Sequence, residues 1–172
     1  VQGSAEATGL ADGVATVVYG EAMLSMQTPA QKAAIVREAF RVLAPGGRYA
    51  LHEMSMVPDC VPDPVKEQAM RDLSAAIHVG ARPLTPGEWR ALLEAAGFRV
   101  ERVMLAPMHL LEPARVVQDE GLLRSLRVLF NVLRRPAARR RVMEMRRVFR
   151  KHREHLGAIA IVAVKPIDGA SR

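Results

Sequence analysis

The stretch Arg37-Glu38-Ala39-Phe40-Arg41-Val42-Leu43-Ala44-Pro45-Gly46-Gly47-Arg48-Tyr49-Ala50-Leu51-His52-Glu53 reads as an amphipathic helix ending in a Pro-Gly-Gly turn that feeds an apolar strand. Pro45 cannot continue a helix, and the two glycines supply the positive φ angles that a tight helix-to-strand reversal needs. A connection of this kind belongs to a parallel sheet covered by helices. Working back toward the N-terminus, Thr28-Pro29 opens the helix, with Thr28 as N-cap and Pro29 at the first helical position. Ala34, Ile35, Ala39, Val42 and Leu43 recur at helical spacing and should cover the sheet. Val14 to Tyr19, after the turn pair Asp12-Gly13, is a β-branched run expected to form a buried strand, and Tyr49 to Met54 the next one.

Further along, Val65, Ala69, Leu73 and Ile77 lie four apart and predict a helix from Pro62 to about His78. Thr85-Pro86-Gly87-Glu88 is a capping box, in which Thr85 and Glu88 can each bond the other's amide. The helix it opens carries Trp89, Leu92 and Leu93 and stops at Gly97. Phe98 to Leu105 alternates apolar and charged residues, as a half-exposed strand does. Two helices are expected over about 114–134 and 136–155, broken at Pro136, and the apolar run Ala158 to Val164 should be a central closing strand. The order predicts an α/β sheet of about four strands with a late antiparallel return.

The 172 residues suit one domain or part of a larger one, and a hydrophobic content of 49% is enough for a core. No apolar run approaches the roughly 20 residues of a membrane-spanning helix. The single cysteine, Cys60, excludes an intrachain disulfide and a cysteine-based zinc site, and fits a reducing, cytoplasmic setting. The net charge of +7 is unevenly spread, because the arginines from Arg134 to Arg153 crowd one segment. That segment is either a solvated helix face or a patch for anions, such as an anionic lipid or membrane surface. An aromatic content of 4% and the lack of a DNA-binding motif argue against nucleic acid. No metal site is expected: only His152 and His155 lie close together, and arginines surround them.

The block "RVLAPGGRYALHE" resembles the turn between the fourth helix and fifth strand of class I S-adenosylmethionine (SAM)-dependent methyltransferases. The order of elements resembles the second half of that Rossmann-like fold, in the manner of the ubiquinone/menaquinone-biosynthesis-type enzymes. The resemblance implies that residues 1–165 are the C-terminal portion of a methyltransferase domain, with a tail at 166–172. Segments 61–84 and 106–156 would then be insertions that cover the acceptor. It implies SAM as methyl donor and S-adenosylhomocysteine as product. The family's glycine-rich loop and its ribose-binding acidic residue have no counterpart here, since no Gly-x-Gly-x-Gly occurs. An intact member would need roughly 80–100 further residues upstream. Pairing with such an N-terminal half, or a homo-oligomer, is expected.

Several site residues follow from the resemblance. Gly3, Ser4 and Ala5 stand where the family's adenine-lining segment lies, with Ser4 in place of its usual aspartate. Tyr19, Gly20 and Glu21 end a strand where the family touches both cofactor and acceptor. In an open α/β sheet, ligands bind at the carboxyl ends of strands, which adds His52, Glu53 and Met54 from the next strand. Glu21 and His52 are the catalytic candidates, and Glu53, Met54 and His109 the acceptor-binding ones. His52 and Glu53 alternate in direction, so only one should face the cleft. A small, apolar or lipid-like acceptor is expected. A non-catalytic assembly module that pairs through a bare sheet edge is the alternative.

Overall fold

Thr28 caps the first helix as its sequence requires. Its hydroxyl accepts from the Gln31 amide at 3.3 Å, and the Gln31 side chain accepts from the Thr28 amide at 3.1 Å. Such a cap is worth about 1 kcal/mol. The structure is a computed structural model that describes residues 3–108, 121, 124, 130 and 134–167. Strand β1 (Ala15–Glu21) precedes helix α1 (Pro29–Val42), which leads straight into strand β2 (Leu43–Met56). Helices α2 (Asp63–Ile77) and α3 (Pro86–Ala95) follow, then β3 (Arg99–Pro107), helix α4 (Pro136–Lys151) and β4 (Leu156–Val164). The expected helix over about 114–134 lies almost entirely outside the described residues.

The four strands form one sheet in the order β1-β2-β4-β3. β1 and β2 are parallel, whereas β4 is antiparallel to both its neighbours. The apolar run at 158–164 is central, as its composition demanded, and β1 and β3 are the two edges. β1, expected to be buried, is instead largely exposed because it pairs on one side only among the described residues. The α/β class and the late antiparallel return are as expected.

The Pro-Gly-Gly segment differs in detail from a free turn. β2 begins at Leu43, immediately after the helix, and the register slips between Ala15↔Leu43 and Val17↔Arg48. The extra residues of this bulge are Ala44 to Gly47. Gly46 sits at φ +78°, and a Cβ on Gly47 would lie 2.8 Å from the Ala44 carbonyl oxygen and 3.1 Å from that of Thr16. Both positions therefore need glycine, but only Gly46 for the expected positive φ; Gly47 needs it for lack of room beside two carbonyls. Lys165 closes the arrangement by donating its ammonium to the carbonyls of Phe40 and Leu43 at the end of α1.

One face of the sheet meets α1 and α3. Tyr49, Leu51, Ile159, Ile161 and Ala163 pack there on Ile35, Val36, Ala39, Trp89 and Leu93. Each fully buried aliphatic side chain stabilises by roughly 1.5–3 kcal/mol. On the opposite face, α2 and α4 cover only the far end of the sheet, where Met56 and Leu156 join Leu73, Ala76, Val148 and Phe149. The two cores meet around the carboxyl end of β2.

Candidate functional site

β1 ends in an unusual conformation. Ala22 follows Glu21 at φ +50°, in the left-handed region that costs an L-residue about 1 kcal/mol. Its amide still bonds to the His52 carbonyl at 2.9 Å, so the chain turns only after the parallel pairing is complete. The next three amides, of Met23, Leu24 and Ser25, then converge on the Glu53 carboxylate at 2.9, 2.7 and 3.0 Å. The Ser25 hydroxyl adds a fourth bond at 2.7 Å. A carboxylate has about four lone-pair sites, and Glu53, 2% exposed, has used them. It was expected to contact an acceptor; its oxygens instead fasten the turn after β1 to the end of β2.

Glu21 and His52 are register partners on adjacent strands and share the face opposite α1 and α3. His52 Nδ1 lies 3.5 Å from Glu21 Oε1, and the Tyr19 hydroxyl donates to Glu21 Oε2 at 3.0 Å. This bond and the neighbouring negative charge push the Tyr19 phenol above its ordinary pKa. The three side chains are substantially exposed, so the pair contributes little to stability. They leave a carboxylate and an imidazole free to meet a ligand.

Beside them opens a cavity of about 440 Å³. Glu21, His52, Ser25 and Glu53 line it along with apolar side chains. Met26 comes from the 3-10 turn after β1, Met54 from the end of β2, Ile77 and Val79 from the end of α2, Met108 from beyond β3, and Met145 and Phe149 from α4. Trp89 braces this corner from below by donating its indole N–H to the Met54 carbonyl at 3.2 Å.

Glu21, His52, Glu53 and Met54 are thus brought together at one cavity. Tyr19 touches its rim through Glu21, and Gly20 is buried between. Gly3 and Ser4 are exposed, and Ala5 packs against the first core; none of the three lines the cavity. Their segment is tied to α1 through Thr8, whose amide and hydroxyl both donate to Glu38. His109 lies outside the described residues. Sequence reasoning missed Ser25, Met26, Ile77, Val79, Met145 and Phe149. Met145 and Phe149 carried a readable signal, two apolar residues four apart on an otherwise arginine-rich helix. Met26 carried none.

No protein-family model matches the chain. An uncharacterised protein of Haemophilus influenzae is 28% identical over 149 residues, covering 87% of this chain and 57% of its own length. A candidate sarcosine dimethylglycine methyltransferase from Galdieria sulphuraria superposes with a TM-score of 0.70 at 15% identity, covering 95% of this chain and 58% of its own. A candidate methyltransferase from Bacillus halodurans gives 0.64 at 20% identity, covering 97% and 77%. A phosphoethanolamine N-methyltransferase of Haemonchus contortus, solved with phosphomonomethylethanolamine and S-adenosylhomocysteine, gives 0.63 at 13% identity, covering 95% and 36%. The chain therefore spans little more than half the length of the Haemophilus and Galdieria proteins. Its strand order, its parallel-then-antiparallel sheet and these superpositions agree: the fold is that of the class I SAM-dependent methyltransferases.

Proposed function

We propose that this chain is the acceptor-side, C-terminal portion of a SAM-dependent methyltransferase that acts on a small apolar or lipid-like molecule. The observation that carries the reading is the methionine-rich cavity, which opens beside Glu21 and His52 at the carboxyl ends of two parallel strands. Apolar walls with a few convergent polar groups suit an acceptor whose body is hydrophobic and whose reactive atom is polar.

The residues fit the cofactor on one side. Tyr19 offers an exposed ring, Gly20 a backbone free of side chain, and Glu21 a carboxylate for a positive sulfonium. Gly3, Ser4 and Ala5 would contribute from the segment before β1. A cradle for the amino-acid end of SAM and an acid for its ribose would have to come from beside β1, whose outer edge is bare among the described residues. When bound, SAM supplies an electrophilic methyl group on sulfur. The protein holds the acceptor atom in line with it, an effect worth on the order of 7–11 kcal/mol at best. His52 would take a proton from an acceptor oxygen or nitrogen through Nε2, a role supported by Glu21 against its Nδ1. Met54 packs the acceptor body, and His109, outside the described residues, is kept as a further acceptor contact on the resemblance alone.

Calorimetric titration of S-adenosylhomocysteine into this chain, and into a form extended upstream, tests the reading. Binding by the extended form supports it, and His52→Ala in that form should then lower kcat about a hundredfold. Binding by neither form overturns it. That result would favour the assembly-module alternative, for which the bare edge of β1 is the supporting observation.

A further inference from the structure

We propose that α4 docks this protein on an anionic membrane surface and so sets the mouth of the cavity against the bilayer. The charge of the chain is concentrated in one place. Residues 134–154 hold ten arginines and lysines and two glutamates, while the rest of the chain holds fifteen and sixteen. The net charge of +7 therefore belongs to α4 and its immediate flanks. Among the described residues, Arg139, Arg140, Arg146, Arg147 and Arg150 have no carboxylate partner, whereas on α2 Lys66 is answered by Glu88 and Arg71 by Glu67.

The pattern on the helix is directional. Arg139, Met143, Arg146 and Arg150 fall at i, i+4, i+7 and i+11, one stripe along a helix roughly 24 Å long. Met143 stands 58% exposed in the middle of it, an apolar side chain that water leaves uncovered. A stripe of guanidinium groups around an exposed methionine matches a lipid interface, with phosphate oxygens for the arginines and acyl surface for the methionine. Nucleic acid would reward stacking side chains, and among the described residues α4 presents none outward: its one aromatic, Phe149, is buried.

The same helix supplies a wall of the cavity. Met145 and Phe149 each precede an arginine of the stripe, Arg146 and Arg150, by one residue. They therefore sit about 100° around the helix, on the flank that adjoins the stripe. A lipid-like acceptor would then pass from the bilayer into the cavity without crossing water. This purpose rests on the apolar-acceptor reading; the docking does not, and it is measured without cofactor or acceptor.

The test is co-sedimentation with phosphatidylcholine vesicles, with and without phosphatidylserine, over a range of salt. The protein should bind the mixed vesicles, release at high salt and ignore pure phosphatidylcholine. Arg139→Gln, Arg146→Gln and Arg150→Gln together should weaken partitioning about a hundredfold, roughly fivefold per charge. The matching Arg→Lys triple should restore it, and both should keep the parent's circular dichroism and Tm. Met143→Ser should lower binding that persists as salt rises. Three results would overturn the proposal: no binding to mixed vesicles, equal binding to neutral ones, or tighter capture by duplex DNA at the same salt. Since S-adenosylhomocysteine binding is scored separately, failure of docking leaves the methyltransferase reading standing, and the reverse holds too.

Discussion

Glu53 joins a strained residue to a usable site. Ala22 at φ +50° turns the chain, and the carboxylate collects the three amides that the turn exposes. Without that acceptor, three N–H groups near the core would lack partners. Glu53→Gln keeps the shape but sets an NH₂ against donors on one side of the fan. With bonds to a charged group worth about 1.5–3 kcal/mol each, the change should destabilise the protein by about 3 kcal/mol. Urea denaturation checks the figure, and a loss below about 1 kcal/mol would show that the fan is not what holds the turn. This role was not legible in the sequence. Strand alternation already says that only one of His52 and Glu53 can face the cleft, but the fold alone reveals that Glu53 is the one turned inward and that the amides after β1 are its partners. Lys32 is a similar case: 2% exposed, donating to the Arg82 carbonyl and lying over Trp89, it occupies a helix position that its charge would assign to the surface.

Between elements, α2 and α4 are joined by a charged clamp as well as by the second core. Asp72 of α2 accepts from Lys151 Nζ at 2.7 Å and lies 2.7 Å from Nε2 of the buried His152. Those two partners hold its carboxyl well below the usual carboxylate range. A folded-state pKa depressed below the unfolded one gives stability that is present above about pH 4 and lost as pH falls. Glu38, lowered to about 2 by Arg41 and Thr8, follows the same sign in α1. Asp72→Asn should therefore weaken the α2–α4 contact and flatten the acid limb of the stability curve. The check is the denaturant midpoint at about pH 5 and about pH 3 for both proteins: an unchanged difference between the two pH values would refute the clamp. Because Met145 and Phe149 ride on α4, the clamp also sets the width of the cavity. Much at this scale was readable beforehand. The N-cap at Thr28, the capping box at Thr85 and the unbroken apolar run of β4 each have one physical solution, and all three appear, whereas the reciprocal bond from Gln31 that completes a box at Thr28 is added by the structure. The extension of β2 through Pro45-Gly46-Gly47 was not readable, because it depends on the backbone of β1 passing against Gly47.

At the scale of the whole molecule, the sheet is finished on one side and open on the other. β3 pairs with β4 alone and, although Met104 and Leu105 stand exposed in its second half, guards its first half with Arg99, Glu101 and Arg102, as edge strands usually do. β1 does not. Val17 and Tyr19 are 63% and 61% exposed, Val14 beside the strand 59%, and β1 has no partner on its outer side among the described residues. Such an edge is a template for another strand, and Val17, Tyr19 and the half-buried Ala50 and Val162 form an apolar face beside it. An edge so built should drive association of the isolated chain, visible as a sedimentation coefficient that rises with concentration. Val17→Lys places a charge on that face next to the bare edge and should shift the protein toward monomer without altering its helix content. A form extended upstream should be monomeric without the substitution, because a further strand and its helices would occupy the same edge and face. If the extended form associates as strongly as the isolated chain, the edge is a true subunit interface. The site beside Glu21 would then be completed by a second copy, since Tyr19 and Glu21 stand on the strand that either partner must pair.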